Sequence, residues 1–531
     1  MASKYRGQVN AESVLKRLRR FAGAATQLDG LYEVRRNVRR ASTDFWSGLS
    51  SQPNLDSKAD RPLLPPDDVG AELWQHPVGQ GLFHSGRIQL PDRAPFRYVY
   101  DCGKLPSRDW HVHLVPMAIE YGPGPLDALF LSHFDNDHIN GLSELLGTFG
   151  GAKVVVLPYL SPTRRLLIGM RDMERGPPLD AEHLGLLDNP AGWLFDHGVQ
   201  QVVFAGAPPN PDDGDGGPIP PNDGPRGDSD GLRMHDSAEP FSWMRLTKAE
   251  QLLSFRSPSS SRALRFLDHR QPMVLGSGPS PTGSGAGWVF QTHVDPDPET
   301  ERAVLVAVRG ALGEAACEAL LTGAVRCSDF LLHGPSRRRL ASAYRTATKL
   351  VSPTWKDVLS PLRREGEADR SGMNRTTLSL FSGPLSRRLH RYQRLYSDPA
   401  HLDSRLSWSI SGMRTRFLRR HVERDGWLLL GDAALADEEV LRRLVGFFGS
   451  PSTDYLSRTA VFTVPHHGSD RNLSAETLDR LGPPPIAVVP AGAWTHYEHP
   501  RENVMELLRM RCEETIHAHT DSGGLRHLIE I

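Results

Sequence analysis

Three apolar segments, far apart in the chain, each end in side chains that bind metal ions. Leu126-Asp127-Ala128-Leu129-Phe130-Leu131 runs through Ser132 into His133-Phe134-Asp135-Asn136-Asp137-His138. Trp427-Leu428-Leu429-Leu430 ends in Gly431-Asp432, and Ala460-Val461-Phe462-Thr463-Val464-Pro465 ends in His466-His467-Gly468-Ser469. Short apolar runs of this composition read as buried strands. A strand end places the residues that follow on a loop at a sheet edge, where solvent can reach them. Imidazole suits zinc and other first-row metals, while carboxylates suit harder ions and can bridge two of them. The i, i+2 spacing sets His133, Asp135 and Asp137 on one side of a tight loop, and His138 adds a second direction. Gly-Asp alone is a common turn and paired histidines can be a capped turn. Three such strand ends in one chain point instead to a fold that brings them together.

The rest of the pattern agrees with an α/β fold. Arg97 to Tyr100 reads as a strand running into Asp101-Cys102-Gly103, Gly141 to Phe149 as a helix, and Lys153 to Leu157 as another strand. Thr376 to Phe381, Ile486 to Val489 and Arg526 to Ile531 are further strands, and Ala436 to Phe448 is a helix with acidic residues in its first turn. Pro500 fits the first position of a helix over Glu502 to Met510. Alternating strands and helices of this kind build layered sheets with helices outside.

At 531 residues the chain exceeds what one core usually supports, so substructures are expected. Residues 1–65 read as a basic helical extension: helices over 11–46 carry Lys16, Arg17, Arg19, Arg20, Arg35, Arg36, Arg39 and Arg40, and a Ser/Pro/Asp-rich link covers 47–69. Residues 66–531 read as one catalytic domain with a large insertion at about 160–370. Within it, 205–240 is dominated by Pro, Gly and Asp and is expected to be disordered, while 245–256 and 338–363 have helical patterns. Four widely spaced cysteines with no CxxC argue against a disulfide framework and a cysteine-based zinc site. No run approaches the roughly 18 apolar residues that span a bilayer, and basic residues interrupt the N-terminus where a signal core would lie. A cytoplasmic location without membrane attachment is the expectation. The net charge of −1 excludes a global attraction to nucleic acid, so any basic surface must be local.

The motifs His133-x-Asp135-x-Asp137-His138, Leu430-Gly431-Asp432 and His466-His467-Gly468-Ser469 resemble the metallo-β-lactamase superfamily, and within it the branch related to the hydrolase domain of ComEC. Val78-Gly79-Gln80-Gly81, Tyr100-Asp101-Cys102-Gly103, Asn374 to Leu380, His499-Pro500 and Thr520 to Gly524 are similar to that branch as well. The resemblance covers about residues 74–160 and 372–531 and implies an αββα sandwich carrying two divalent metal ions, zinc or alternatively manganese or magnesium. It implies His138, Asp137, Asp432 and His466 around one ion, and His133, Asp135 and a bridging Asp432 around the other. Most members have histidine where Asp135 stands and another in the motif that Asn374 to Thr377 occupies, so the second position is oxygen-rich. Asp101 is expected to orient the histidine loop by hydrogen bonding rather than to bind metal.

Such a centre activates water for attack on phosphorus or carbon. The resemblance gives Asp137 or Asp432 a role in positioning that water. His467 and Ser469 are candidates for binding a phosphoryl oxygen, and His499 for approaching the substrate. Residues 387–424 hold ten Arg against three acidic residues, interleaved with Tyr392, Tyr396, Trp408 and Phe417. Charges for phosphates and rings for bases are what single-stranded nucleic acid binding uses. A nuclease is therefore the first expectation; a hydrolase of small nucleotides or phosphoesters is the alternative, and a non-catalytic binding module the third.

Overall fold

The computed structural model describes residues 70–90, 94–103, 111–175, 179–206, 232–234, 263–267, 272–276, 287–295, 298–351, 376–384, 390–396, 414–418, 424–451, 454–470, 472–492, 499–518 and 524–529. The expected N-terminal helices, the link at 47–69 and the helix at 245–256 lie outside these residues. In chain order the strands are β1 (Ala71–Gln75), β2 (His84–Ile88), β3 (Phe96–Tyr100), β4 (Leu126–Phe130), β5 (Ala152–Pro158) and β6 (Gln201–Ala205). They continue with β7 (Leu232–Met234), β8 (Ala263–Leu267), β9 (Met273–Gly276), β10 (Gly287–Val294), β11 (Leu378–Pro384) and β12 (His390–Tyr396). The last six are β13 (Arg414–Leu418), β14 (Gly426–Leu429), β15 (Thr459–Thr463), β16 (Ile486–Val489), β17 (Glu514–His517) and β18 (Leu525–Ile529).

Two sheets form, in the orders β13-β12-β18-β1-β2-β3-β4-β5-β6-β8 and β17-β16-β15-β14-β11-β10-β9-β7. From β3 to β8 the first sheet is parallel, and so is the second from β14 to β17. The central parallel strands are largely apolar on both faces, and alternate residues serve two cores. In β4, Ala128 and Phe130 join Tyr98, Val156, Trp288, Leu380, Trp427 and Val461 between the sheets. Leu129 joins Leu146, Leu167, Leu187 and Val308 of the helices outside the first sheet. Across the molecule, Leu428 and Phe462 pack with Leu444, Phe448 and Leu508 of the helices outside the second. Four layers result, helix, sheet, sheet, helix: the expected αββα sandwich.

Several polar groups buried between the sheets are paired, as burial favours. The hydroxyl of Tyr98 lies 3.0 Å from both His84 Nε2 and Ser382 Oγ, and Trp288 Nε1 donates to the same serine at 3.0 Å. Trp427 Nε1 donates to His527 Nδ1 at 2.8 Å. The Tyr98–Ser382 and Trp427–His527 bonds cross from one sheet to the other and tie the two together.

The segment 160–370 contributes strands as well as helices. β6 and β8 extend the first sheet, and β9 and β10 join β11 in the second. Helices Pro162–Arg175, Ala181–Asp188, Pro298–Leu312 and Gly334–Val351 cover the first sheet's outer face or pack beside it. Inside the stretch expected to be disordered, Leu232–Met234 pairs in parallel with β9, an exception to that expectation; 207–231 and 235–240 lie outside the described residues. Pro500 stands one residue before the N-cap Arg501 of helix Glu502–Arg511 rather than inside it. Among the described residues no helix is long and apolar enough to cross a membrane.

Candidate metal centre

Parallel neighbours β14 and β15 deliver their following loops to one edge of the second sheet, and there they meet the loop that follows β4 of the first. β4 is followed by Leu131, Ser132 and the histidine loop, whose last residues enter one helical turn, Asn136–Ile139. Phe134 is buried among the helices outside the sheet and anchors the loop. The loop is clasped from below by the end of β3: Cys102 N–H donates to His138 O at 2.9 Å and Gly141 N–H to Cys102 O at 3.0 Å. Gly103 is required there, because a Cβ would lie 1.6 Å from the Asp137 carbonyl oxygen. Gly431, at φ +52°, turns the chain after β14 so that Asp432 points inward; a Cβ would meet Ser132 and Thr377 at 2.7 Å.

Asp101, His466 and His467 also have positive φ, at 56°, 50° and 55°. Left-handed backbone is costly for residues with a Cβ and concentrates at functional sites. Here it fixes side-chain direction. Asp101 Oδ1 accepts from Ser132 N–H at 2.6 Å, and its Oδ2 accepts from Ser132 Oγ at 2.6 Å and from His138 Nδ1 at 2.8 Å. His133 Nδ1 donates to Ser132 Oγ at 2.7 Å, and His467 Nδ1 to Pro490 O at 2.6 Å. Each of the three imidazoles thus has its proton engaged at Nδ1 and turns Nε2 to a common centre, the arrangement by which outer partners orient metal ligands.

Around that centre His138 Nε2 lies 3.2 Å from Asp432 Oδ1, and His133 Nε2 lies 3.6 Å from Asp432 Oδ2. His466 Nδ1 lies 3.5 Å from Asp432 Oδ2, and His467 Nε2 lies 3.1 Å from Asp137 Oδ2 and 3.8 Å from Asp432 Oδ1. His133 Nε2, His138 Nε2 and His466 Nδ1 are buried and make no hydrogen bond. Donors about 2.0–2.2 Å from a tetrahedral ion stand about 3.3 Å from one another, which is the spacing found. Two sets of side chains converge closely enough to hold a divalent metal ion: His133, His138 and Asp432; and Asp137, His138 and His467. The chemistry of the donors and the unbonded nitrogens aimed at one point fit the group.

The electrostatics agree with that geometry. Burial and His138 oppose protonation of His133, yet Asp135 and Asp432 outweigh them and push it up to about 9. Burial likewise opposes a charge on His138, and Asp432 and Asp101 raise it well above the usual imidazole range. Burial would raise Asp432, but the surrounding histidines hold it well below the usual carboxylate range. Dense carboxylates in a buried site demand cations, either protons on the imidazoles or metal ions in their place. The cluster is open on one side, where the Asp137 side chain is 35% exposed and that of His466 is 28%.

The geometry groups His467, rather than His466, with Asp137 and His138, because the left-handed turn directs the second histidine inward onto Pro490 O. Asp135 differs from the rest: Arg171 on helix Pro162–Arg175 donates to its Oδ1, and its Oδ2 lies 3.6 Å from His133 Nε2. Burial would raise the Asp135 carboxyl, but Arg171 and then His133 hold it below the ordinary range. No sequence motif marks Arg171. Ser469 is buried, and its N–H donates to His466 O at 3.0 Å, closing the turn. His499 sits beside His466, ring centroids 5.7 Å apart, and its buried Nδ1 makes no hydrogen bond. Burial, then His466 and His467, lower His499 to about 3. Asn374 and Arg375 lie outside the described residues.

Residues 96–234 match the family model of the metallo-beta-lactamase superfamily. Among curated proteins, none matches the chain. The matched span takes in Asp101, the histidine loop and Arg171, while Asp432, His466 and His467 lie downstream and reach the centre through the second sheet. The matched span lies in an αββα sandwich, the fold of that superfamily, whose grouped histidines and aspartates could hold divalent metal ions.

Proposed function

We propose that this protein is a metal-dependent hydrolase that cleaves phosphodiester bonds of nucleic acid. The observation that carries hydrolysis is the convergence of His133, His138, His467, Asp137 and Asp432 on one partly open centre. Divalent metal bound there supplies water activation near neutral pH and positive charge for the developing transition state. The chain's own residues do the rest. Asp101 and Ser132 fix the tautomers of His138 and His133, and Pro490 O fixes that of His467. Asp137, the most exposed carboxylate of the cluster, can orient the attacking water. His499, which burial keeps neutral beside His466, can donate a hydrogen bond to substrate.

The nucleic-acid reading is supported by the arginine-rich segment 387–424. Through β18 and β1, β12 runs parallel to β4, so Tyr396 at its end and Arg414 at the start of β13 belong to the sheet edge that carries the histidine loop. Five strand spacings separate β12 from β4, about 24 Å at ~4.8 Å each. At 3.4 Å per step, only a polymer of about seven base pairs or more reaches both. Arg394 and Arg416 stand directly opposite one another in the paired strands.

The test is hydrolysis by metal-loaded protein of single-stranded DNA, duplex DNA, RNA and a small chromogenic phosphodiester. Cleavage of a polymer, with efficiency falling steeply for oligomers shorter than about seven nucleotides, supports the proposal. Intact polymers alongside efficient turnover of the small diester would overturn it in favour of a small-molecule hydrolase.

A further inference from the structure

Arg171 is buried, with its side chain 4% exposed, beside a cluster that ought to repel any fixed cation if two metal ions filled it. Its Nη2 donates to Asp135 Oδ1 and also to Asp172 Oδ1 at 2.9 Å, and its Nε donates to Asp172 at 3.0 Å. His183 of helix Ala181–Asp188 backs this pair, with Nε2 3.7 Å from Asp172 Oδ2. The guanidinium is therefore held in place from behind and commits one oxygen of Asp135. What remains beside it for a metal is His133, His466 Nδ1, the other Asp135 oxygen and a share of Asp432, next to the fixed positive charge of the guanidinium. Opposite it, Asp137, His138, His467 and Asp432 offer four ligand atoms, one more than the three that hold a catalytic zinc ion with a position left open for water. Like charges a few ångströms apart in a buried site repel strongly.

We propose that Arg171 limits the metal capacity of this centre: ion-paired with Asp135, it leaves one tight metal position, formed by Asp137, His138, His467 and Asp432, and one weak position beside His133. The inference rests on the reading of the cluster as a metal centre. It places a residue of the segment 160–370 in control of the centre's stoichiometry, and it makes Arg171 a positioning residue.

Zinc binding tests this without recourse to activity. Chelator-stripped full-length protein is titrated with zinc chloride by calorimetry and assayed for ions retained through gel filtration. The wild type retains one ion and takes a second weakly. Arg171→Gln keeps a hydrogen-bond donor without the charge, and should bind the second ion roughly tenfold to a hundredfold more tightly, the range over which outer-shell partners move metal affinity. Arg171→Lys restores the cation and the wild-type pattern. Asp135→Asn in the wild-type background keeps its single tight ion, and it decides the matter if Arg171→Gln does not fold. Two equally tight ions in the wild type would overturn the proposal. So would an unchanged second ion in folded Arg171→Gln, or loss of the tight ion in Asp135→Asn. If no form binds zinc, the metal-centre reading itself fails, and the proposal with it.

Discussion

At the scale of single residues, the centre depends on side chains that never touch a ligand. Asp101 accepts from both Ser132 and His138, which requires two carboxylate oxygens in left-handed backbone. Asp101→Asn replaces one acceptor by a donor facing His138 Nδ1–H. We expect zinc affinity to fall roughly tenfold to a hundredfold in calorimetry, with the fold retained by circular dichroism. Unchanged affinity would show that His138 needs no such partner. The grouped histidines and aspartates were legible in the sequence because each follows closely on an apolar strand. Arg171 was not: a buried arginine on an amphipathic helix leaves no mark until its partner is known. Which of His466 and His467 turns inward was equally hidden, because positive φ at both residues decides it and neither residue type demands that backbone.

At the scale of elements, the polar seam between the sheets makes a pH-dependent contribution. His84 is fully buried on β2, hydrogen-bonded to Tyr98, and burial pushes its imidazole down to about 3. The folded state keeps it neutral, while the unfolded chain protonates it below about 6.5. The unfolded state then binds more protons, so stability falls as pH drops from about 6.5 towards 3. At pH 5 the loss from this group is about 2 kcal/mol. Denaturant unfolding of wild type and His84→Asn between pH 7 and 5 measures it: the variant should lose about 2 kcal/mol less over that range. Equal slopes would mean that His84 is solvated or protonated in the fold. Strands such as β4 and β15 were readable from their apolar content, but the width of each sheet was not. β6, β9 and β10 are short apolar runs surrounded by Gly, Pro and Asp, and only pairing with distant strands distinguishes them from buried loop.

At the scale of the whole molecule, the substrate proposal depends on distance across the sheet. Neutralising Arg414, Arg416, Arg419 and Arg420 together should weaken binding of single-stranded DNA and leave zinc content unchanged. The slope of log affinity against log salt should shrink by about 0.7 for each phosphate that is no longer neutralised. Fluorescence anisotropy over a salt series reads this directly, and an unchanged slope would remove the segment from the binding surface. Hydrolysis of a small phosphodiester should be indifferent to the same four changes.

The most direct measurement concerns the centre itself. Protein stripped with chelator is assayed for phosphodiester hydrolysis before and after divalent metal is restored, beside Asp432→Ala, which removes the carboxylate that reaches both ligand sets. The expected result is hydrolysis that vanishes on chelation, returns with metal, and stays absent in Asp432→Ala despite a native circular-dichroism spectrum. Turnover by the stripped protein, or by folded Asp432→Ala at the wild-type rate, would contradict a metal-dependent centre at these strand ends.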